Sequence, residues 1–193
     1  MSEMKLRAQT YRLLSRLYIL EADETFLKEL GAMTFPESEG FSLLKSYLSD
    51  LPENAEEDLA VDYARIFLAA GVATGLAAFP YESIYTGKKK LMNQSSAGEC
   101  EKFYAAKGLK ARGDMYKIPN DHIGLQCEYM AFLIEEGCDM AEQKIFFDAH
   151  MKKWIPLFVS DVIKYASTDF YKALGAITRE FMESEKAYLE NAE

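Results

Sequence analysis

The chain is predicted to be all-α: a single-domain multi-helix bundle with a long irregular loop near residues 71–94. Three observations predict this. No stretch sustains the apolar/polar alternation of a half-buried strand, and apolar residues recur instead at three- and four-residue spacing. Residues able to cap a helix stand just ahead of those runs. A length of 193 residues suits one domain, with 49% hydrophobic residues to build its core. Within it, N-terminal helices are expected over 1–50, a core over 52–185 and a frayed tail over 186–193.

Lys5 to Leu20 carries Leu6, Leu13, Leu14, Leu17 and Tyr18 at helical spacing, with Arg and Gln expected on the opposite face. Asp23 is placed to cap a second helix that turns Phe26, Leu27 and Leu30 inward. Pro36 to Gly40 is a break, after which Phe41, Leu44 and Leu48 resume the pattern. Pro52 lies near the next helix start, where its missing N–H costs little. That helix buries Leu59, Tyr63, Ile66 and Phe67 and ends near Ala70-Gly71. Between Gly71 and Met92 there is no clean period, and a long connection of this kind is usually functional or disordered. Its aromatics, Phe79, Tyr81 and Tyr85, argue against disorder and require a cover, from the core or from a partner.

Ser95 or Ser96 opens a helix with Cys100, Phe103 and Tyr104 inward and Gly108 as its stop. A second loop, Ala111 to Ile118, contains Arg112-Gly113-Asp114. The central helix follows Pro119-Asn120-Asp121-His122-Ile123 and runs to about Glu136, with Asn120 or Asp121 as its cap and Gly137 as its stop. Two of its sides are apolar, so it should be largely buried. The third is a narrow stripe of Asp121, Gly124, Glu128, Ala131 and Glu135, able to wall a groove with negative charge and room for a guest. Asp139 with Glu142 starts the next helix, Trp154-Ile155-Pro156 another, and Thr168 caps the last, which buries Phe170, Leu174, Ile177 and Phe181. From Glu183 the sequence is charged and fraying is expected.

A net charge of −9 disfavours a nucleic-acid backbone as partner and suits a cationic one, or simple solubility. Met1 to Arg16 lacks the apolar core of a signal peptide, and no apolar run is long enough to span a membrane. Cys100, Cys127 and Cys138 form no C-x-x-C pair and read as reduced thiols of a cytosolic protein. The two histidines, His122 and His150, stand at ligand spacing with no other His or Cys, so no metal and no cofactor is expected. There is no G-x-S-x-G, phosphate-cradling glycine loop or H-E-x-x-H. Any acid–base chemistry would fall to His122 beside Asp121, in a small helical hydrolase. The plainer readings are a capping Asp and a neutral His held by the helix dipole. Lys88-Lys89-Lys90 is a solvated loop tip, or else a contact for a nucleotide's phosphates.

Four blocks together resemble the TorD-like cytoplasmic chaperones of molybdenum-cofactor oxidoreductases (TorD, DmsD and NarJ), the redox-enzyme maturation proteins. They are Asp62-Tyr63-Ala64-Arg65-Ile66-Phe67, Pro80-Tyr81-Glu82-Ser83-Ile84-Tyr85, Pro119 to Ile123 continuing through Glu128-Tyr129-Met130 and Leu133, and Phe147-Asp148-Ala149-His150-Met151 through Trp154 to Phe158. The resemblance implies an all-helical, non-enzymatic chaperone, monomeric or a domain-swapped dimer, with a guanine-nucleotide-regulated chaperone as the alternative. Its partner would be an apo-molybdopterin oxidoreductase catalytic subunit and its signal peptide, held in the cytoplasm until the cofactor is inserted. By the same resemblance Ile66, Phe67, Pro80, Tyr81, Asp121 and His122 would bind the leader, and Ser83, Tyr85 and Glu128 complete the candidate peptide-binding set. Recognition of a basic pair followed by an apolar helix needs an oily groove with carboxylates at one end. Phe67, Pro80, Tyr81, Gly124 and Ala131 are expected to line it, and Asp121 and Glu128 to meet the arginines.

Overall fold

A computed structural model describes residues 2–68, 70–71, 75–110 and 118–191. Among them the backbone forms ten helices: α1 (Glu3–Ile19), α2 (Glu24–Gly31), α3 (Glu39–Ser49), α4 (Ala55–Phe67), α5 (Glu82–Thr86), α6 (Ser95–Ala106), α7 (Ile123–Glu135), α8 (Met140–His150), α9 (Ile155–Tyr165) and α10 (Asp169–Glu190). The only extended pairing among these residues is an isolated antiparallel bridge, Tyr81 to His122. The all-α expectation therefore holds. The Arg112-Gly113-Asp114 loop lies outside the described residues.

The chain divides into two compact units. One comprises Leu20–Phe79 and Phe158–Phe181, hence α2, α3, α4 and parts of α9 and α10. Asp23 caps α2 by accepting from the Phe26 N–H at 2.7 Å, as its position predicted. Ser38 caps α3, which begins at Glu39, so the Pro36-to-Gly40 break ends earlier than expected. Gly40 has a steric reason to be glycine: a Cβ there would sit 2.5 Å from the Ile177 backbone nitrogen. Thr168 starts α10, its hydroxyl taking the Tyr171 N–H at 3.5 Å. The core contains an aromatic cluster in which Phe67 packs on Tyr63, Phe158 and Tyr171 at centroid distances of 5.2, 6.1 and 5.7 Å.

The other unit comprises Met1–Ile19, Pro80–Leu157 and Met182–Glu193. Here α1 lies along α7. Two expectations are corrected. Arg7 is not on a solvent face: it is buried, with its guanidinium on the Glu185 carboxylate at 2.6 and 2.8 Å. The Tyr11 hydroxyl donates to the same carboxylate at 2.9 Å, and Arg7 also reaches Gln143 at 3.0 Å. The C-terminal segment therefore does not fray from Glu183. It stays helical to Glu190 because Glu185 is anchored in this buried ion pair and Leu189 is 1% exposed.

The small residues of the α7 stripe are also corrected. A Cβ on Gly124 would lie 2.4 Å from Ile19 Cγ1, and Ala131 is fully buried. The room beside Gly124 is taken by Ile19 of α1 and Ala131 is sealed within the chain, so neither leaves space for a guest. Arg12 of α1 completes the contact by pairing with Glu135 at 2.6 Å. The long loop is not wholly irregular either, since it contains the short α5.

Candidate functional site

Three of the four sequence blocks meet in one unit. The Pro80–Tyr85 segment is stitched to the Asp121–Ile123 segment by the Ile123 N–H donating to the Pro80 carbonyl at 2.9 Å and the Glu82 N–H to the Asp121 carbonyl at 3.1 Å. The Tyr81 ring stands edge-on to His122 at 5.1 Å, and Tyr85 lies against Trp154 at 5.7 Å. Both tyrosines are half-buried by their own chain, which supplies at least part of the cover their position required.

The cap of α7 is His122, and not Asn120 or Asp121. Its Nδ1 accepts from the Gly124 N–H at 3.0 Å. Burial pushes its pKa down to about 3, so the ring is neutral and its one proton sits on Nε2. An imidazole with Nδ1 committed to a cap and Nε2 protonated has no lone pair for a general base. The hydrolase reading of His122 is corrected on that ground.

Asp121 does not stand at a groove mouth. It is 0% exposed, and its Oδ2 accepts from the Ser83 N–H at 2.8 Å and the Ser96 hydroxyl at 2.9 Å. The carboxylate thus fastens α5 and α6 to the start of α7. Its Oδ1 is buried without a hydrogen-bond partner among the described residues, as is Ser83 Oγ. Ile66 and Phe67, in the other unit, are 0% and 3% exposed core residues. Pro80 and Ser83 are buried too. Of the expected peptide-binding residues, only Tyr81, Tyr85 and Glu128 keep partial exposure.

Glu128 lines a cavity of about 270 Å³ whose apolar wall is Tyr104, Leu109, Leu125, Tyr129 and Phe132, with Arg12 and Lys110 at its polar side. The Arg12–Glu135 pair beside it is about half exposed at both ends, 44% and 45%, and a pair of that kind contributes only ~0–1 kcal/mol. Glu128 and Glu135 both hold the Arg12 guanidinium above its ordinary pKa, Glu135 by the larger amount. Aromatic walls and two carboxylates therefore adjoin one loosely held arginine.

The same unit contains a buried polar network that sequence spacing did not reveal. Glu82 Oε2 accepts from Gln126 Nε2 at 2.9 Å and faces His150 Nδ1 at 3.1 Å. Gln126 Nε2 also lies 3.6 Å from Cys100 Sγ, while its Oε1 accepts from Trp154 Nε1 at 3.2 Å. Burial raises the pKa of Glu82, a shift His150 opposes and Asp121 reinforces. Cys100 and His150 are 50 residues apart and Glu82, on the short α5, lies 18 residues before Cys100, so no local motif marked them. The signal available was that Glu82 and His150 belong to the sequence blocks quoted above, whereas Cys100 lies in none of them.

Comparison with known proteins fits this architecture. A family model described as nitrate reductase delta subunit matches residues 36–160. The chain belongs to that family. Among curated relatives, the chaperone protein TorD of Shewanella pealeana is 28% identical over 97% of this chain and 91% of its own length. The chaperone protein TorD of Shewanella sp. strain MR-4 is 30% identical, covering 96% of this chain and 95% of its own. A crystal structure of a putative redox enzyme maturation protein from Archaeoglobus fulgidus superposes with a TM-score of 0.58 over 93% of each chain, at 19% identity. That last likeness shows a shared fold. Among the described residues no helix is long and apolar enough to cross a membrane.

Proposed function

We propose that this family member is a cytoplasmic, system-specific chaperone. It binds the twin-arginine leader, or another part, of an apo-molybdopterin oxidoreductase catalytic subunit and holds it for cofactor insertion before export or assembly. It is not an enzyme in this reading, in keeping with relatives that are named as chaperones.

The observation that carries the proposal is the aromatic-walled cavity with Glu128 at its edge. An apolar client side chain enters it, while a client arginine displaces Arg12 from Glu135 and meets Glu128. The exchange is cheap because the resident pair is exposed and worth little. Tyr81 and Tyr85 flank the buried seam as secondary contacts. Micromolar binding requires only about −8 kcal/mol, within reach of one aromatic anchor and one charge-assisted pair.

Titration calorimetry with a peptide carrying an arginine pair followed by an apolar helix tests this. The expected result is micromolar affinity that weakens with salt. In Glu128→Gln both affinity and salt slope fall. Unchanged affinity and unchanged slope in that variant would remove the cavity from the binding site.

A further inference from the structure

Glu82, Cys100 and His150 each place one ligand-type atom so that all three lie within 4.8 Å of one another, and all three residues are buried. We propose that these three side chains form a binding site for a thiophilic divalent cation of the Zn(II) class, through the Glu82 carboxylate, the Cys100 sulfur and His150 Nδ1. Imidazole, thiolate and carboxylate are the donor types Zn(II) takes, and a tetrahedral site needs donor separations of about 3.5 Å. The Glu82–His150 pair already meets that at 3.1 Å, so only a modest inward movement of Cys100 is needed.

Two further features point to a cation. The cluster holds two buried carboxylates in electrostatic reach of each other, Glu82 and Asp121, and both act on the Cys100 thiol. The imidazole of His150 is the single ionisable base in the cluster. Buried negative charge without full compensation is costly. Moreover, Asp121 Oδ1 and Ser83 Oγ are buried oxygens without hydrogen-bond partners, on residues directly joined to this cluster through the Ser83 N–H and Glu82.

Gln126 borders the site: its Nε2 donates to Glu82 at 2.9 Å and lies 3.6 Å from Cys100 Sγ, while its Oε1 accepts from Trp154 Nε1. Burial holds the Cys100 thiol protonated well above the usual cysteine range, so metal binding displaces that proton as the sulfur–metal bond forms.

The full chain, reduced and stripped with a chelator, is titrated with Co(II) as a spectroscopic probe and then with Zn(II). Expected are one equivalent of Co(II), a near-ultraviolet thiolate-to-cobalt charge-transfer band, tetrahedral visible bands, and loss of both on adding Zn(II). Zn(II) should also raise the melting temperature. Cys100→Ser should abolish the charge-transfer band, and His150→Gln should weaken binding by at least about tenfold. Cys127→Ser and Cys138→Ser should change neither. A band that survives Cys100→Ser overturns the assignment. So does a wild-type protein with no band and no Zn(II)-dependent thermal shift, a result that needs no variant to fold.

Discussion

Two buried aspartates, one in each unit, do outwardly similar work and are satisfied very differently. Asp62 ties α4 to the start of α10. Its Oδ1 accepts from the Arg65 guanidinium and its Oδ2 from the Thr168 N–H at 2.8 Å and the Thr168 hydroxyl at 2.7 Å, with the Ser167 N–H reaching both oxygens. Burial alone would raise its pKa, but these donors outweigh it and the net shift is downward. Asp121 ties α5 and α6 to α7 through Oδ2 only and leaves Oδ1 unfilled. A carboxylate with every lone pair engaged is a structural fastener. One left half-engaged, next to the Glu82, Cys100 and His150 cluster, keeps a buried acceptor open among the described residues.

Substitution by the isosteric amide separates the two. In Asp62→Asn the new NH2 group must face a donor whichever way it turns. The expected loss is about 3 kcal/mol by urea unfolding, the scale of breaking a buried charged network. In Asp121→Asn the amide oxygen can keep both bonds of Oδ2, and the NH2 takes the unfilled position. The expected loss is ~1 kcal/mol. Equal losses would abolish the distinction. The pH dependence has its own sign. Asp62, with its folded pKa depressed, contributes stability that is present above about pH 3.9 and is lost as the pH falls through the folded value.

A third variant acts within the Asp121 region alone. His122 is neutral when folded, with a pKa of about 3, whereas the unfolded chain binds a proton below about pH 6.5. Stability is therefore full above pH 6.5 and declines as the pH falls from there toward 3. Asparagine also caps helices and does not titrate. His122→Asn should therefore cost within ~1 kcal/mol at neutral pH and flatten this acid limb in melting temperature against pH. The smallest effect is expected from Glu128→Gln. At a half-buried position with no fastening role it should move stability by no more than about 0.5 kcal/mol, leaving its consequence to peptide affinity.

Local chemistry explains what was legible beforehand. Asp23, Asp139 and Thr168 cap helices because a short side-chain oxygen reaches the first free N–H groups wherever it occurs. Gly137, at a φ of 69°, stops α7 because glycine tolerates that geometry. Burial of charged residues was not legible in the same way. Arg7 looked like a surface residue because its partner, Glu185, is 178 positions away. The α7 stripe looked like a groove because nothing near Gly124 in sequence announced that Ile19 would fill it.

Helical periods, caps and stops, and so the all-α class, were dictated by residues within a turn or two of one another; so was the family, whose blocks are contiguous. Which carboxylates are sealed and which face a cavity was decided only when distant segments met. The same is true of Glu82, Cys100 and His150, which share one buried space. Desolvation, ion pairing and ligand geometry depend on distance through space, and a linear chain does not display it.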